Sequence, residues 1–251
     1  MKSALRALRY SWRRATPKCA TPKLSSGYEV CDFIQYNAIA SVPGHRPLKA
    51  AARSACDEMD PRVTELHCIM PIGNIPSVLA RGILSHEAAT KLRHHSVAMQ
   101  PIQDKRDKKT VHGGLRLHQY ANLYFHARNP MLSVRRHEDI CVLRISASVL
   151  NLPGIVITDE NAASNYVRFF GLAQWRSLDF DDIYARDWTH PNDQRRGWKH
   201  KSRKCAEVLV PHKVLPNMLL GAYVVDEAAR ARLNQTGFTL TVIVDADFFF
   251  R

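Results

Sequence analysis

The chain has 251 residues, of which 45% are hydrophobic and 24% are charged, values typical of a soluble globular protein long enough to bury its own core. Its composition excludes collagen, coiled coil and wholesale disorder, and no apolar run approaches the roughly 18 residues of a membrane-spanning helix. The 36 Lys and Arg outnumber the 23 Asp and Glu, which gives a net charge of +13 and favours a polyanionic partner, nucleic acid first, with a merely basic enzyme as the alternative.

The N-terminal segment carries more than half of this excess charge. Residues 1–28 hold seven Lys and Arg and no acid, and they lack the apolar run of a secretory signal. A mitochondrial-type transit peptide, a disordered arm that binds nucleic acid and a mis-called start codon are all compatible with this composition. We expect residues 1–60 to form a basic, partly disordered extension and lead-in, and residues 61–251 to form one domain.

Strands and helices follow this extension in an irregular order. The patterns predict a strand at 65–70, a helix at 74–81, a helical piece and a long loop at 84–116, strands at 121–125, 140–145 and 155–158, a helix at 161–170, a polar basic loop at 186–204, strands at 206–210 and 222–225, a helix at 226–233 and a strand at 239–244. Asn74 is the predicted cap of the first helix, and Gly82 ends it. Because few helices connect successive strands, we predict an α+β fold rather than a doubly wound parallel sheet.

The cysteines and histidines give no sign of a structural metal. The six cysteines include no Cys-x-x-Cys pair, and none stands at zinc-like spacing from a histidine. This usage favours a reducing compartment, and we expect the protein to be cytoplasmic.

Four segments contain the residues best suited to chemistry. Residues 66–85 hold a His-bearing strand and an Asn-Ile-Pro helix start, residues 102–106 read Ile-Gln-Asp-Lys-Arg, residues 117–132 read Leu-His-Gln-Tyr-Ala-Asn-Leu-Tyr-Phe-His-Ala-Arg-Asn-Pro-Met-Leu, and residues 204–211 read Lys-Cys-Ala-Glu-Val-Leu-Val-Pro. Taken singly, a strand histidine or a pair of aromatic residues is more often part of the core. Glu207 needs more explanation, because an acid at the start of a buried apolar strand lies at a sheet edge or has a function.

Together, the four segments resemble the DarT-type ADP-ribosyltransferases, which transfer ADP-ribose from NAD to bases of single-stranded DNA. The resemblance spans about residues 63–245 and is most specific in the helix that begins at Asn74 and in residues 117–132. It implies the ADP-ribosyltransferase fold, in which two splayed, mainly antiparallel sheets enclose a cleft for NAD. Residues 70–73 depart from the family, since many relatives carry a second His there, and the modified base therefore stays open.

The resemblance also assigns the residues that would hold NAD. His67 would bind the ribose region, and Asn74 would help to shape the pocket at the start of its helix. Tyr124, with Phe125 nearby, would flank the nicotinamide, because aromatic walls hold a planar ring by apolar burial and stacking.

Two further residues match the catalytic positions of the family. Glu207 matches the catalytic glutamate, and a carboxylate can stabilise the positive charge that develops on the ribose as its bond to nicotinamide breaks. Arg106 matches the loop arginine that is needed for activity, and we expect it in a charged loop away from the pocket walls. The reaction needs NAD as a substrate and no metal.

The residues before Glu207 bear on the substrate. Arginine-modifying transferases usually carry an acid two residues before the catalytic glutamate, where this chain has Cys205. Six cations and a tryptophan fall within residues 195–204, a composition that favours a phosphate backbone and a stacked base, with a solvated loop as the alternative. The candidate nucleic-acid contacts are Arg195, Arg196, Trp198, Lys199, Lys201 and Arg203.

These observations predict an NAD-dependent enzyme that attaches ADP-ribose to a base of single-stranded DNA and releases nicotinamide. The resemblance further implies a bacterial toxin, acting as a monomer without a membrane partner, together with a DarG-like macrodomain antitoxin that removes the modification. A related transferase acting on RNA, and an inactive relative that only binds nucleic acid, are the alternatives.

Overall fold

The computed structural model describes residues 59–96 and 98–251, so the predictions made for residues 1–58 lie outside the described residues. The described strands are β1 (Glu65–Pro71), β2 (Ile83–Leu84), β3 (Tyr120–Tyr124), β4 (Ile140–Ser146), β5 (Val156–Thr158), β6 (Phe169–Phe170), β7 (Glu207–Pro211), β8 (Lys213–Val214), β9 (Leu219–Val224) and β10 (Thr241–Val244). Every predicted strand is present, with ends displaced by a few residues at most. The short strands β2, β6 and β8 were not predicted.

Seven α-helices in the described part of the chain connect or cover these strands. They are α1 (Ile75–Arg81), α2 (His86–Ala89), α3 (Gln100–Asp107), α4 (Pro130–Arg135), α5 (Phe180–Tyr184), α6 (Gln194–Arg203) and α7 (Glu227–Gln235). Short 3-10 helices occupy Ile72–Asn74, Leu117–Gln119, Ala147–Asn151, Leu172–Ser177 and Pro216–Met218. Between residues 59 and 251, with Val97 left aside, no helix has the length and apolar character required to cross a bilayer.

Eight strands form one mixed sheet with the order β10-β9-β4-β1-β3-β7-β5-β6, and β2 pairs with β8 in a second, small sheet. All pairs are antiparallel except β9 with β10, which run parallel. The predicted α+β class with mainly antiparallel pairing is therefore confirmed.

The large sheet is divided at its centre, between β1 and β3. β1 and β4 share seven opposed residue pairs and β3 and β7 share five, whereas β1 and β3 share the single pair His67–Tyr124. The strands diverge beyond this pair, so the sheet consists of two halves that meet at one point. This is the splayed arrangement that the resemblance implied.

Side chains alternate between the two faces of the sheet along each strand, and a hydrophobic cluster packs on each face. Leu66 and Phe125 belong to the larger core on one face. Ile69, Tyr124 and Phe249 belong to a smaller cluster on the other face. Adjacent residues of β1 and β3 therefore have different surroundings, which matters for the site below.

Residues 161–170 are not the predicted helix. They form turns that end in the short strand β6. The Asn161 side chain accepts from the amide of Ala163 at 2.8 Å, and Ser164 donates its hydroxyl to Glu160 at 2.9 Å. Such local polar bonds compete with the hydrogen bonds of a helix.

Residues 186–204 are likewise not a continuous loop, because their second half is α6. Asp193 caps this helix by accepting from the amide of Arg196 at 2.9 Å, and the basic residues in its last turn suit the negative end of the helix dipole. Pro191 and Gly197 suggested a loop, but Pro191 precedes the helix and Gly197 lies against His190.

Candidate active site

A cavity of about 370 Å³ opens where β1 and β3 diverge, within the usual size range of small-molecule sites. Residues 68–71 of β1 form one wall, and Tyr120, Asn122 and Tyr124 of β3 form the other. Side chains of α1 and α3 contribute to the rest of the lining. Since no strand lies between the diverging edges, their backbone polar groups are available to a ligand.

Three of the predicted site residues lie in a row across the sheet. Tyr124 of β3 is opposite His67 of β1 on one side and opposite Glu207 of β7 on the other. Directly opposed residues in antiparallel strands project from the same face. Residues that are far apart in the chain are thereby brought to one side of the sheet.

Glu207 is fully buried and fully hydrogen-bonded. Nη1 of Arg106 lies 3.0 Å from both carboxylate oxygens, and the backbone N–H of Ala162 donates to Oε1 at 3.0 Å. The backbone N–H of Glu207 itself donates to Oγ1 of Thr158 at 2.9 Å. A buried carboxylate is tolerated only with such partners.

Arg106 is not in a loop and is not away from the pocket. It lies in α3, is 6% exposed and lines the cavity. The sequence of α3 is almost wholly polar, so no apolar stripe marked a helix, and the buried face of α3 is occupied by the arginine itself. The expectation of a distant loop arginine was therefore wrong.

His67 lies at the end of the row under an aromatic cover. The side chains of His126, Tyr223 and Phe248 surround its ring, with centroids about 6 Å away. Its Nε2 lies 3.1 Å from Oε1 of Glu65, and its Nδ1 lies 3.2 Å from the carbonyl oxygen of Phe125. Both ring nitrogens are thus engaged, and His67 is not among the residues that line the cavity.

Glu65 holds this end of the row in place. Burial alone would raise the pKa of its carboxyl, but hydrogen bonds from His67 and Arg144 outweigh burial and lower the pKa to about 2. The hydroxyl of Tyr223 also donates to Glu65 at 2.9 Å. The network connects β1, β4 and β9.

The two adjacent aromatic residues of the motif have different positions. Tyr124 lines the cavity, and burial followed by the nearby Glu207 carboxylate raises the pKa of its hydroxyl well above the usual value. Phe125 points to the opposite face and packs edge-on against Phe180, with ring centroids 5.7 Å apart. Phe125 does not line the cavity, so we leave it out of the proposed site.

Asn74 lines the cavity but does not cap α1 with its side chain. Its amide nitrogen donates to the carbonyl oxygen of His95 at 2.7 Å, and its Oδ1 accepts from the amide of His95 at 3.0 Å. This bidentate contact fixes the segment before α3 at the cavity wall. The role of Asn74 in shaping a pocket for NAD stays a prediction.

The candidate nucleic-acid contacts lie along α6, and they differ in exposure and in whether a carboxylate of the same protein lies beside them. Trp198 is 64% exposed, and Arg195, Lys199 and Lys201 are exposed. Arg203 instead binds the carboxylates of Asp179 and Asp182 at 2.6 and 2.7 Å, and Arg196 lies 3.8 Å from Asp182. The following cation, Lys204, is fully buried and donates to the carbonyl oxygens of Ile183 and Ala185.

A family model described as "DarT: ssDNA thymidine ADP-ribosyltransferase, DarT" matches residues 67–250. The chain belongs to the DarT family. This confirms the family that the motifs suggested.

Known DarT proteins agree with this assignment. A DNA ADP-ribosyl transferase of Thermus sp. (strain 2.9) is 30% identical over 175 residues, covering 64% of this chain and 80% of that protein. A DNA ADP-ribosyl transferase–DNA ADP-ribosyl glycohydrolase fusion protein of Thermosipho africanus (strain H17ap60334) is 29% identical over 204 residues, covering 76% of this chain and 51% of the fusion. The present chain therefore spans about half the length of that relative.

A solved structure shares the fold. The structure of Thermus sp. 2.9 DarT in complex with ADP-ribosylated ssDNA matches with a TM-score of 0.62 at 25% identity, covering 75% of this chain and 97% of that chain. The predicted ADP-ribosyltransferase fold is thus confirmed by a DarT structure as well as by the sheet topology.

Several residues of the site were not found from the sequence. Thr158 and Ala162 hold Glu207 through a hydroxyl and a backbone N–H, and a backbone contact leaves no signal in the sequence. Glu65 did leave a signal in the sequence, because the side chain of an acid two residues before His67 points to the same side of the strand as His67. Within residues 59–96 and 98–251, no group of three or more His, Cys, Asp or Glu side chains is arranged to hold a metal ion.

Proposed function

We propose that this DarT-family chain transfers ADP-ribose from NAD to a thymine base of single-stranded DNA, releases nicotinamide, and acts as a toxin in the cytoplasm. The observation that carries the proposal is the buried Glu207 carboxylate, held by Arg106 and Ala162 next to the cavity-lining Tyr124. The family description supports thymine as the base.

The residues of the row suit this chemistry. NAD, when bound, supplies ADP-ribose, and positive charge develops on the ribose as the bond to nicotinamide breaks. Glu207 can stabilise that charge and orient a ribose hydroxyl. Tyr124 offers a ring face at the cavity wall, and the free edges of β1 and β3 offer backbone groups to a carboxamide.

Arg106 controls access to Glu207. No part of the Glu207 side chain is exposed, and its oxygens are shared between Arg106 and Ala162. A ribose hydroxyl can therefore reach the carboxylate only if Arg106 releases one oxygen. The freed guanidinium then has donors for the substrate base or a phosphate while it still offsets the buried negative charge.

His67 would act from beside the cavity. In the proposed complex its ring contacts the ribose region only after Phe248, which packs against the ring, shifts. Both ring nitrogens stay engaged with Glu65 and Phe125. Asn74 would keep the segment around His95 at the wall, as it does here.

The exposed side chains of α6 would contact the DNA strand. Arg195, Lys199 and Lys201 can approach phosphates, and Trp198 can stack on a base, which is the usual combination for single strands. We assign Arg196 and Arg203 a smaller part, because carboxylates of the same protein lie beside them.

A partner that removes the modification also belongs to the proposal. The Thermosipho relative carries a DNA ADP-ribosyl glycohydrolase in the same chain as its transferase. For this chain we propose a DarG-like macrodomain glycohydrolase as the partner, with the transferase acting as a monomer.

The test is a labelling reaction with radioactive NAD and the full chain. The substrates are a thymine-containing DNA oligonucleotide, the same oligonucleotide annealed to its complement, a version without thymine, and the matching RNA. We expect label only on the single-stranded DNA that contains thymine, and none with Glu207→Gln. Label on RNA alone would favour the RNA-acting alternative, and equal labelling of single and double strands would contradict attack on an unpaired base.

A further inference from the structure

Two buried polar atoms in residues that line the cavity have no hydrogen-bond partner among the described residues. They are Oε1 of Gln103 and Nε2 of His118. Buried polar atoms are nearly always paired, so each unpaired one needs an explanation. His118 belongs to the Leu-His-x-Tyr part of the family motif, to which the proposed function gives no role.

The surroundings of His118 make its Nε2 an acceptor. Nδ1 lies 3.3 Å from Oδ1 of Asp107, which favours the tautomer that carries its proton on Nδ1. Burial lowers the pKa of the imidazole below its usual value, which favours the neutral ring. The ring of His86 packs beside it at 4.3 Å between centroids, which fixes its plane.

Gln103 supplies the second acceptor from α3. It lies one helical turn before Arg106, and α3 packs against the 3-10 turn Leu117–Gln119 that carries His118. The two residues therefore border the same part of the cavity. A group that donates two hydrogen bonds from one atom would satisfy both.

This part of the cavity lies on the far side of Arg106 from the row of His67, Tyr124 and Glu207, toward the other end of β3. His118 precedes β3, and Tyr120 and Tyr124 mark the two ends of that strand. At about 3.3 Å per residue, four residues of strand separate the two ends by roughly 13 Å. Apolar side chains line the cavity as well, including Ile83, Leu84, Met99 and Ile102.

We propose that Gln103 and His118 bind the exocyclic amino group of the adenine of NAD. This inference rests on the proposed function. NAD carries two amino groups, one on adenine and one on the carboxamide of nicotinamide, and no other group of NAD donates two hydrogen bonds from one atom. The carboxamide is assigned to the catalytic end beside Tyr124, so the amino group at this end is that of adenine, and the apolar side chains hold its ring.

The inference predicts a preference among dinucleotides. In nicotinamide hypoxanthine dinucleotide, a carbonyl oxygen replaces the amino group and would face two acceptors. The full chain should therefore bind this analogue about 10- to 100-fold more weakly than NAD, the effect of leaving buried acceptors unpaired. The acetylpyridine analogue of NAD, which lacks the carboxamide amino group, provides a comparison at the other end.

The experiment is calorimetric titration of the full chain and its variants with the three dinucleotides. Gln103→Leu should weaken NAD binding, leave binding of the hypoxanthine analogue nearly unchanged, and so bring the ratio of the two affinities close to one. His118→Phe is a second variant with the same expected result. Gln100→Leu, on the exposed side of α3, is the matched control and should keep the ratio of the wild type.

The outcomes separate this inference from the proposed function. Equal binding of NAD and the hypoxanthine analogue by the wild type would overturn the inference and leave the transferase in place. A Gln103→Leu variant that loses its preference for the carboxamide instead would place nicotinamide here and also overturn it. Failure of the wild type to bind NAD at all would overturn both. The comparison of dinucleotides on the wild type needs no variant and so does not depend on how any variant folds.

Discussion

At the scale of single residues, the site depends on how one carboxylate is accommodated inside the protein. Glu207 is fully buried, and its oxygens accept from a guanidinium and a backbone N–H. Arg106 is in turn 6% exposed, with Glu207 as its carboxylate partner. The two side chains stabilise each other, so neither can be changed without affecting the other.

This mutual dependence predicts two separate effects of Glu207→Gln. Transfer of ADP-ribose should fall by at least ~10²-fold, because a preorganised charge at the ribose is lost. The free energy of unfolding should also fall, by about 3–5 kcal/mol, because Arg106 is left as a buried charge without its partner. Turnover and urea unfolding of the same preparation measure the two effects.

A double variant distinguishes them. Glu207→Gln combined with Arg106→Met removes both charges, and we expect it to recover most of the lost stability with no recovery of turnover. Near wild-type transfer by a folded Glu207→Gln protein would contradict the role of Glu207. A double variant less stable than either single variant would contradict the pairing.

At the scale of secondary-structure elements, α6 carries both cations that are exposed and cations that are paired with carboxylates of the same protein. Changing Arg195, Lys199 and Lys201 together to Gln should weaken binding of single-stranded DNA. It should also lower the slope of log affinity against log salt by about 2 units, at about 0.7 per phosphate contact. NAD affinity should stay the same, since none of the three lines the cavity. Fluorescence titrations at several salt concentrations give both numbers.

Cations on other elements provide the control. Changing Lys213, Arg230 and Arg232, on β8 and α7, to Gln alters the net charge by the same amount and should leave the slope unchanged. Trp198→Ala should cost about 1–3 kcal/mol of binding without changing the slope, because stacking releases no counterions. A control variant with the same reduced slope as the α6 variant would mean that only net charge matters.

The elements also indicate what the sequence could and could not predict. Long β-branched and apolar runs such as β4 and β7 are local signals, and they were predicted within a residue or two. The helix α3 has no apolar stripe, because its buried side chain is Arg106, whose partner is 101 residues away in the chain. Likewise, the alternation of side chains along a strand predicts that only one of Tyr124 and Phe125 lies on the face of the site. Only the pairing of β3 with β1 and β7 decides which of the two it is.

The charges on α6 illustrate the same limit. Six cations within residues 195–204 are visible in the sequence, but their partners lie elsewhere in the chain. Asp179 and Asp182 neutralise Arg203, and the carbonyl oxygens of Ile183 and Ala185 hold Lys204. The number of free charges is therefore a property of the fold and not of the segment.

At the scale of the whole molecule, the Glu65 network makes stability depend on pH. The pKa of Glu65 is about 2 in the folded protein against 4.5 without these contacts. Its contribution to stability is therefore complete above about pH 4.5 and is lost as the pH falls toward 2. The carboxyls of Asp60 and Asp182, whose pKa values are also lowered, add to the loss in the same direction.

We therefore expect Glu65→Gln to be less stable than the wild type above pH 4.5, with the difference shrinking as the pH falls toward 2. Urea unfolding at several pH values measures this difference. Glu138→Gln, at an exposed ion pair with Arg135, is the control and should track the wild type. A constant difference between Glu65→Gln and the wild type at every pH would contradict the network.

The single pair that joins the halves of the sheet has a genetic consequence if the protein is the proposed toxin. His67 and Tyr124 form the one register pair between β1 and β3, and both side chains are buried. We therefore expect a change at either position to disturb the joint as well as the proposed chemistry. Harmless alleles selected at these two positions would lower the amount of folded protein in the cell. Alleles that keep a normal amount of folded but inactive protein would have to arise at other positions, for instance by joint replacement of Glu207 and Arg106. Immunoblotting of selected survivors would sort them into these two groups without any assay of the reaction.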